Sequence, residues 1–222
     1  MKKFMLIALS LNILSNNYLP SVLAEEQYSE KENEEHEVME FDFGGIKYVT
    51  ESIENENVYV EYTEAGNSAT YSVFDRESGL LTDTITIRYP ENEVNFLNDV
   101  HVAFFTKDKY VYGTDSSVVT LRATLAADYY SSGSFRSFEG IHYLTVGIIS
   151  SACSMTIANC EKDAWSDNGF PTTQINYAYT ANVRTEGTID LSIQTSLISA
   201  GFTQSTYFYR DVSDAGAFVL YH

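Results

Sequence analysis

Apolar and polar residues alternate in several runs of the chain after Gly45. In the run 84–89, Ile85, Ile87 and Tyr89 fall on one face of an extended chain, with polar or charged residues between them. A half-buried β-strand requires this period of two. The runs are rich in Val, Ile, Tyr, Phe and Thr, and Gly, Asn, Asp and Ser interrupt them every ~8 to 14 residues. The pattern predicts a series of short β-strands.

Strands at this spacing, with no helix between them that is long enough for a crossover, favour antiparallel pairing. Over residues 43–222 we predict an all-β domain, an antiparallel β-sandwich of the immunoglobulin-like or a related type. A division into two small β modules could fall near 113–117. Short helices are predicted only at 91–100 and 197–202. The predicted strands are 46–50, 58–63, 69–74, 84–89, 100–106, 118–125, 141–149, 154–158, 175–183, 188–194, 206–210 and 217–221.

Residues 1–24 have the pattern of a secretory signal peptide. Two lysines precede the apolar run 4–14, which is shorter than the about 20 apolar residues needed to cross a bilayer. Pro20 breaks the run, and Val22-Leu23-Ala24 places cleavage before Glu25. We therefore expect a secreted, extracellular protein without a transmembrane anchor, and the short leader suggests a bacterial origin.

Residues 25–42 form a separate acidic block, with nine acidic side chains against one lysine. A segment of this composition has too little apolar surface to offset the entropy lost on ordering. We interpret it as a disordered segment or a pro-segment.

The net charge of the whole chain is -18. Nucleic-acid binding needs a basic stripe that neutralises phosphates. Lysines and arginines here are scattered, so we expect no nucleic-acid partner.

The two cysteines, Cys153 and Cys160, are the only ones in the chain, and export to an oxidising compartment favours a disulfide between them. Seven residues of strand would span roughly 23 Å, whereas a disulfide needs Cα atoms within about 7 Å. The bridge thus requires a chain reversal, which we place near Ala158-Asn159.

The stretch 160–171 holds the only tryptophan together with several acids, and we predict that it is a loop. Trp165 and Phe170 could offer flat apolar faces to sugar rings. Asp163, Asp167 and Asn168 could instead supply oxygens to a calcium ion, although their spacing is unlike that of an EF-hand loop. The third interpretation is that Trp165 fills one end of the core.

Tyrosine pairs at i and i+2 occur at Tyr177 and Tyr179 and again at Tyr207 and Tyr209. Members of a pair share one face of a strand. If exposed, they would suit a glycan or another protein; if buried, they would be cross-strand packing pairs.

No phosphate-binding loop, nucleophile elbow or dinucleotide fingerprint occurs in the sequence. This weighs against an enzyme without deciding the question, and no cofactor is expected apart from the calcium considered above. The leading hypothesis is a binding or interaction module for a glycan, a cell-wall polymer or a protein. The alternatives are a toxin or bacteriocin-like protein that inserts a β-hairpin from 141–158 into membranes, and a hydrolase whose carboxylates the sequence does not locate.

Overall fold

The computed structural model describes residues 39–50, 57–89, 100–114, 116–132 and 134–221. The predicted signal peptide, residues 25–38 of the acidic block and residues 91–99 of the helix predicted at 91–100 lie outside these ranges. The last residue of that predicted helix, Val100, begins a strand instead. Within them the chain forms two antiparallel β-sheets and one short helix. The predicted all-β, antiparallel architecture is confirmed.

The helix, α1, spans Leu191–Ser199. The strands are β1 Met39–Phe43, β2 Ile46–Thr50, β3 Val58–Ala65, β4 Ser68–Asp75, β5 Leu81–Arg88, β6 Val100–Tyr112, β7 Ser117–Ser132, β8 Phe135–Ser151, β9 Met155–Trp165, β10 Gln174–Thr185, β11 Thr203–Gln204 and β12 Phe208–Leu220.

One sheet, here the meander sheet, contains β3 to β8, each paired with the next strand along the chain. The other, the terminal sheet, has the order β1-β2-β12-β10-β9, with β11 paired to β12. The first two and last four strands therefore share one sheet. Between β6 and β7 the Gly113 N–H donates to the Ser116 carbonyl at 2.9 Å. The position considered for a division into two modules, 113–117, thus lies in the connection between two paired strands of one sheet.

The two sheets pack face to face, and each contributes the buried residues of its alternating strands to the contact. In β10, Ile175, Tyr177 and Tyr179 are buried and the residues between them are partly exposed. Phe105 of β6 stacks on Phe218 of β12 with ring centroids 4.0 Å apart, so the meander sheet packs against the terminal sheet. This two-layer packing is the predicted sandwich.

β1 begins at Met39, so the last four residues of the predicted acidic segment, 39–42, lie in a strand. Met39 and Phe41 are buried, and Glu40 and Asp42 are exposed. The alternation of apolar and acidic residues satisfies both faces of an edge strand, because the acids point to solvent.

The predicted disulfide between Cys153 and Cys160 is not formed, and both cysteines are free. The reason is that β9 runs through Ala158 and Asn159 to Trp165, so the chain does not reverse where the bridge would need it to. For the same reason the predicted loop over 160–171 starts only after Trp165.

Helix α1 occupies residues for which a strand was predicted at 188–194 and begins six residues before the helix predicted at 197–202. Ile193, Leu197 and Ala200 follow the i, i+4, i+7 spacing of a helix that buries one face. Leu197 and Ala200 are buried, and Ile193 packs against the core. Burial of this face outweighs the strand-like alternation of Ile189, Leu191 and Ile193.

Candidate functional site

Trp165 ends β9 at the start of a surface loop, and the residue is 38% exposed. Its indole N–H donates to Asp167 Oδ1 at 3.0 Å. The other oxygen of this carboxylate, Oδ2, accepts a hydrogen bond from the Asn176 amide at 3.3 Å. Asn176 lies directly opposite Trp165 in the pairing of β9 with β10. One carboxylate therefore fixes the indole to the strand beside it while the residue stays accessible to solvent.

A row of polar groups continues from this point along β10. Gln174 Nε2 donates to Asn176 Oδ1 at 2.8 Å, so the Asn176 amide accepts from Gln174 and donates to Asp167. We call Gln174, Asn176, Asp167 and Trp165 the polar row. Each of its two amides carries both donor and acceptor groups, and Gln174 is exposed while Asn176 is partly exposed.

Phe170 lies at the far end of the same loop and is 42% exposed. The Ser166 hydroxyl donates to the Gly169 carbonyl at 3.1 Å, and Gly169 has a φ of 74°. Such a φ is strained for residues with a side chain. Glycine therefore permits the turn that carries the chain from Trp165 to Phe170.

Two of the three residues considered for calcium, Asp163 and Asp167, have carboxylates that accept hydrogen bonds from the protein itself. Asp163 lies in β9, and its Oδ1 accepts from the Ala164 N–H at 2.8 Å. Both oxygens of Asp167 are held by the polar row, and Asn168 lies in the loop. In the described ranges, no group of three or more His, Cys, Asp or Glu side chains is placed to hold a metal ion.

The two predicted tyrosine pairs have different surroundings. Tyr177 and Tyr179 are in the core, 2% and 3% exposed, and are out of reach of an external ligand. Tyr207 is 41% exposed, and its ring meets that of Tyr209 edge-on with centroids 6.0 Å apart. The Arg184 guanidinium lies 5.6 Å from the centroid of Tyr207. Of the two pairs, only Tyr207 and Tyr209 are placed where an external ligand could contact them.

A buried charged cluster lies between the two sheets. Lys107 Nζ of β6 is 2.6 Å from Asp214 Oδ1 of β12 and 3.5 Å from Asp83 Oδ1 of β5. The three side chains are 2%, 0% and 7% exposed, respectively. We call them the buried triad.

Sequence reasoning missed the buried triad, although the strand pattern contains a signal for it. Each member lies two residues from an inward apolar residue: Asp83 from Ile85, Lys107 from Phe105, and Asp214 from Val212. A charged residue that lies two positions from a buried apolar residue in the same strand is on the buried face and is a candidate interior charge.

Tyrosines surround the buried triad. The Tyr177 hydroxyl donates to Asp214 Oδ2 at 2.8 Å, and the hydroxyls of Tyr177 and Tyr48 are 3.0 Å apart. A Cβ at Gly216 would come within 2.5 Å of the Tyr48 ring, so glycine leaves the room this ring occupies. Burial raises the pKa of both tyrosines, so both hydroxyls remain protonated.

Opposing effects act on the pKa of Lys107. Burial lowers it, but the nearby Tyr48, Asp214 and Asp83 outweigh burial, and the pKa is raised overall. Lys107 is therefore charged, and its ammonium is in direct contact with the Asp214 carboxyl group.

The predicted membrane hairpin, 141–158, covers the second half of β8, a turn and the start of β9. These strands belong to different sheets, each at an edge. Val146 and Ile148 pack against the core, whereas Tyr143 and Ile149 are 45% and 47% exposed. The segment therefore links two sheet edges. None of the helices in the described ranges has the length and apolarity to cross a membrane.

An open surface depression of about 440 Å³ lies between α1 and the β6–β7 connection. The described residues that line it are mostly Ser and Thr, including Thr114, Ser192 and Ser196. Among the described lining residues there is no pair of carboxylates of the kind that a glycoside hydrolase uses.

Comparison of the chain with protein-family models, with curated proteins and with solved structures found no match.

Proposed function

We propose that this protein is a secreted, non-catalytic binding module whose ligand is a polysaccharide, either a glycan or a cell-wall polymer. The observation that carries the proposal is the contact of the Trp165 indole with Asp167, which fixes an exposed aromatic ring beside a row of amides.

Pre-organisation is the first supporting argument. A side chain that is already held in one geometry loses little conformational entropy when a ligand binds. The Asp167 carboxylate ties Trp165 to Asn176 of the neighbouring strand, so the ring is positioned before any ligand arrives. An aromatic ring fixed in this way can pack against the apolar face of a sugar.

Hydrogen-bonding capacity is the second argument. Sugar hydroxyls both donate and accept, and the amides of Gln174 and Asn176 do the same. Both residues are accessible on β10, beside Trp165. An apolar surface next to a few oriented polar groups is the usual composition of a small-molecule site.

Charge narrows the class of polysaccharide. The net charge is -18, and the exposed residues Glu161 and Asp163 precede Trp165 on β9. Repulsion disfavours anionic polymers. We therefore propose a neutral or amino-sugar polymer.

The test is retention of the purified protein on insoluble chitin, β-glucan and peptidoglycan. We expect Trp165→Ala to reduce retention at least tenfold on the polymer that binds the unmodified protein. Asp167→Ala should reduce retention less, because the ring remains but is no longer held. Tyr59→Ala is the matched control, since Tyr59 is 39% exposed but lies in the meander sheet. Equal retention of the Trp165→Ala variant would contradict the proposal.

Export is part of the proposal and has its own test. Cleavage before Glu25 should give a secreted chain that begins at that residue. N-terminal sequencing of protein from the culture supernatant measures this directly. Recovery of a chain that still carries residues 1–24 would contradict export by this route.

A second candidate function is insertion of 141–158 into a membrane. In its favour, the segment contains no Asp, Glu, Lys or Arg and lies on two edge strands. The test is dye release from liposomes by the full chain and by a chain that starts at Met39, which keeps β1. An absence of release from both would remove this candidate.

A further inference from the structure

The buried triad places two carboxyl groups against one amine in an apolar interior. The triad therefore holds one more acidic group than basic groups, away from solvent. Phe105 and Phe218 stack on each other and, with Lys107, line a small cavity beside the triad. Burying charges costs more than their attraction returns unless the geometry is very favourable. Chemistry that removes two of the charges would relieve this cost.

We propose that Lys107 and Asp214 join covalently, through an isopeptide bond between Nζ and Cγ that forms after the chain folds. The reacting groups are already in contact, with Nζ 2.6 Å from Oδ1. Groups held in a reactive geometry behave as if at very high concentration, with effective molarities on the order of 10⁵ M or more.

The reaction is a condensation that needs no oxidant or added co-reactant. A proton first passes from the Lys107 ammonium to the Asp214 carboxylate, which gives a neutral amine and a carboxylic acid. The amine lone pair attacks Cγ, the N–C bond forms, and the C–O bond to Oδ1 breaks. Oδ1 leaves as water with two of the three ammonium protons, and the third stays on the amide nitrogen.

Two neighbouring groups suit the reaction. Asp83 Oδ1, 3.5 Å from Nζ, can accept a proton from the attacking nitrogen and return it to the departing oxygen. Tyr177 donates to Asp214 Oδ2 at 2.8 Å, where negative charge develops as the tetrahedral intermediate forms. Asp83 therefore transfers the proton, and Tyr177 stabilises the oxyanion.

The interior favours the product. A cavity of about 10 Å³ lies beside Lys107 and Tyr177 and is otherwise lined by apolar side chains. That volume is close to the smallest that can hold one water. Because the surroundings are apolar, the released water is poorly retained, and the neutral amide replaces a buried ion pair.

The bond would join the two layers of the sandwich. Lys107 lies in β6 of the meander sheet and Asp214 in β12 of the terminal sheet, 107 residues apart. A covalent link between these strands would keep the sheets together in a protein without a disulfide between its cysteines. This inference does not depend on the identity of the ligand.

The test is mass spectrometry of the purified unmodified protein under denaturing conditions, with peptide mapping to fix its N-terminus. We expect the intact mass to be lower than the sequence mass by one water. Proteolysis should yield a branched peptide that contains both Lys107 and Asp214. A full mass with two separate peptides, or a water loss that maps elsewhere, would overturn the proposal without the need for any variant.

Variants then assign the roles. Lys107→Arg and Asp214→Ala should show the full mass. Asp83→Asn keeps the shape of the side chain but cannot carry the proton, so we expect at least a tenfold fall in the cross-linked fraction. Lys109→Arg, two residues along the same strand, is the matched control and should lose the water as the unmodified protein does. Cross-linking in Asp83→Asn equal to that of the control would overturn the role of Asp83.

Discussion

Phe105 and Phe218 lie on different sheets, and their rings stack with centroids 4.0 Å apart and an interplanar angle of 23°. Both residues are buried, at 1% and 2% exposed. Phe218 also packs against Tyr48 and Tyr177, so one ring contacts the other sheet and the tyrosines beside the buried triad. The Phe218 side chain therefore takes part both in the contact between the sheets and in the packing around the buried triad.

Replacing Phe218 with alanine should destabilise the fold strongly. Deletion of a buried phenylalanine typically costs about 3 to 5 kcal/mol, because the transfer energy is lost and a cavity remains. The measurement is the free energy of unfolding in guanidinium chloride. Phe135→Ala is the control, since Phe135 is 55% exposed and should change the free energy by under about 1 kcal/mol. Equal effects would contradict the sandwich packing.

Tyr177→Phe and Tyr179→Phe remove the same atom from neighbouring buried positions, with opposite expectations. The Tyr177 hydroxyl donates to Asp214 Oδ2, and such a hydrogen bond contributes about 0.5 to 1.5 kcal/mol when the acceptor is the uncharged amide of the cross-link and more when it is a carboxylate. For the Tyr179 hydroxyl, no hydrogen-bond partner lies within reach among the described residues. We expect Tyr177→Phe to lower the free energy of unfolding and Tyr179→Phe to leave it unchanged or raise it. The reverse order would contradict the assigned contacts.

Stability should fall in alkaline solution. Burial raises the pKa of Tyr48, Tyr89 and Tyr177 in the folded protein, while in the unfolded chain tyrosine titrates near pH ~10. Above that pH the unfolded chain binds fewer protons than the folded one, so the free energy of unfolding decreases as pH rises. This contribution is fully present below pH ~10. The measurement is the denaturant midpoint between pH ~8 and ~11, and a constant midpoint would count against the burial of these hydroxyls.

Both cysteines should be detected as free thiols of low reactivity. Burial raises the pKa of Cys153 and Cys160, so little of the reactive thiolate is present near neutral pH. We expect slow labelling by a thiol reagent and a rate that increases with pH. Cys153→Ser and Cys160→Ser should each remove one of the two labels. Absence of any free thiol in the unreduced protein would contradict this expectation and would indicate that the two cysteines form a disulfide.

Strand identity was predictable wherever one face of a strand is buried. The run 84–89 lies within β5 except for its last residue, and 175–183 lies within β10, because alternation of apolar and polar residues directly reflects one-sided burial. Strand ends were less predictable. β9 continues through Cys160 to Trp165 although this stretch is mostly polar, since an exposed edge strand needs few apolar residues.

Sheet membership could not be predicted from local pattern. β2 pairs with β12, so that Tyr48 lies opposite Phe218, and no short-range signal specifies a contact at that separation. The candidate site was predictable only in part, because one of its residues is brought in by strand pairing. Trp165 and Phe170 are conspicuous in the sequence, but the contribution of Asn176 depends on the register between β9 and β10.

The proposed contact between Trp165 and the ligand has a direct optical test. Trp165 is the only tryptophan in the chain, so tryptophan fluorescence reports on this residue alone. Soluble oligosaccharides of chitin, β-glucan and peptidoglycan would be titrated into the purified protein. We expect a saturable change in the emission of Trp165 with at least one of them, and we expect this change to be absent when the protein is denatured. Emission that stays constant with every oligosaccharide, at concentrations where the intact polymer retains the protein, would contradict it.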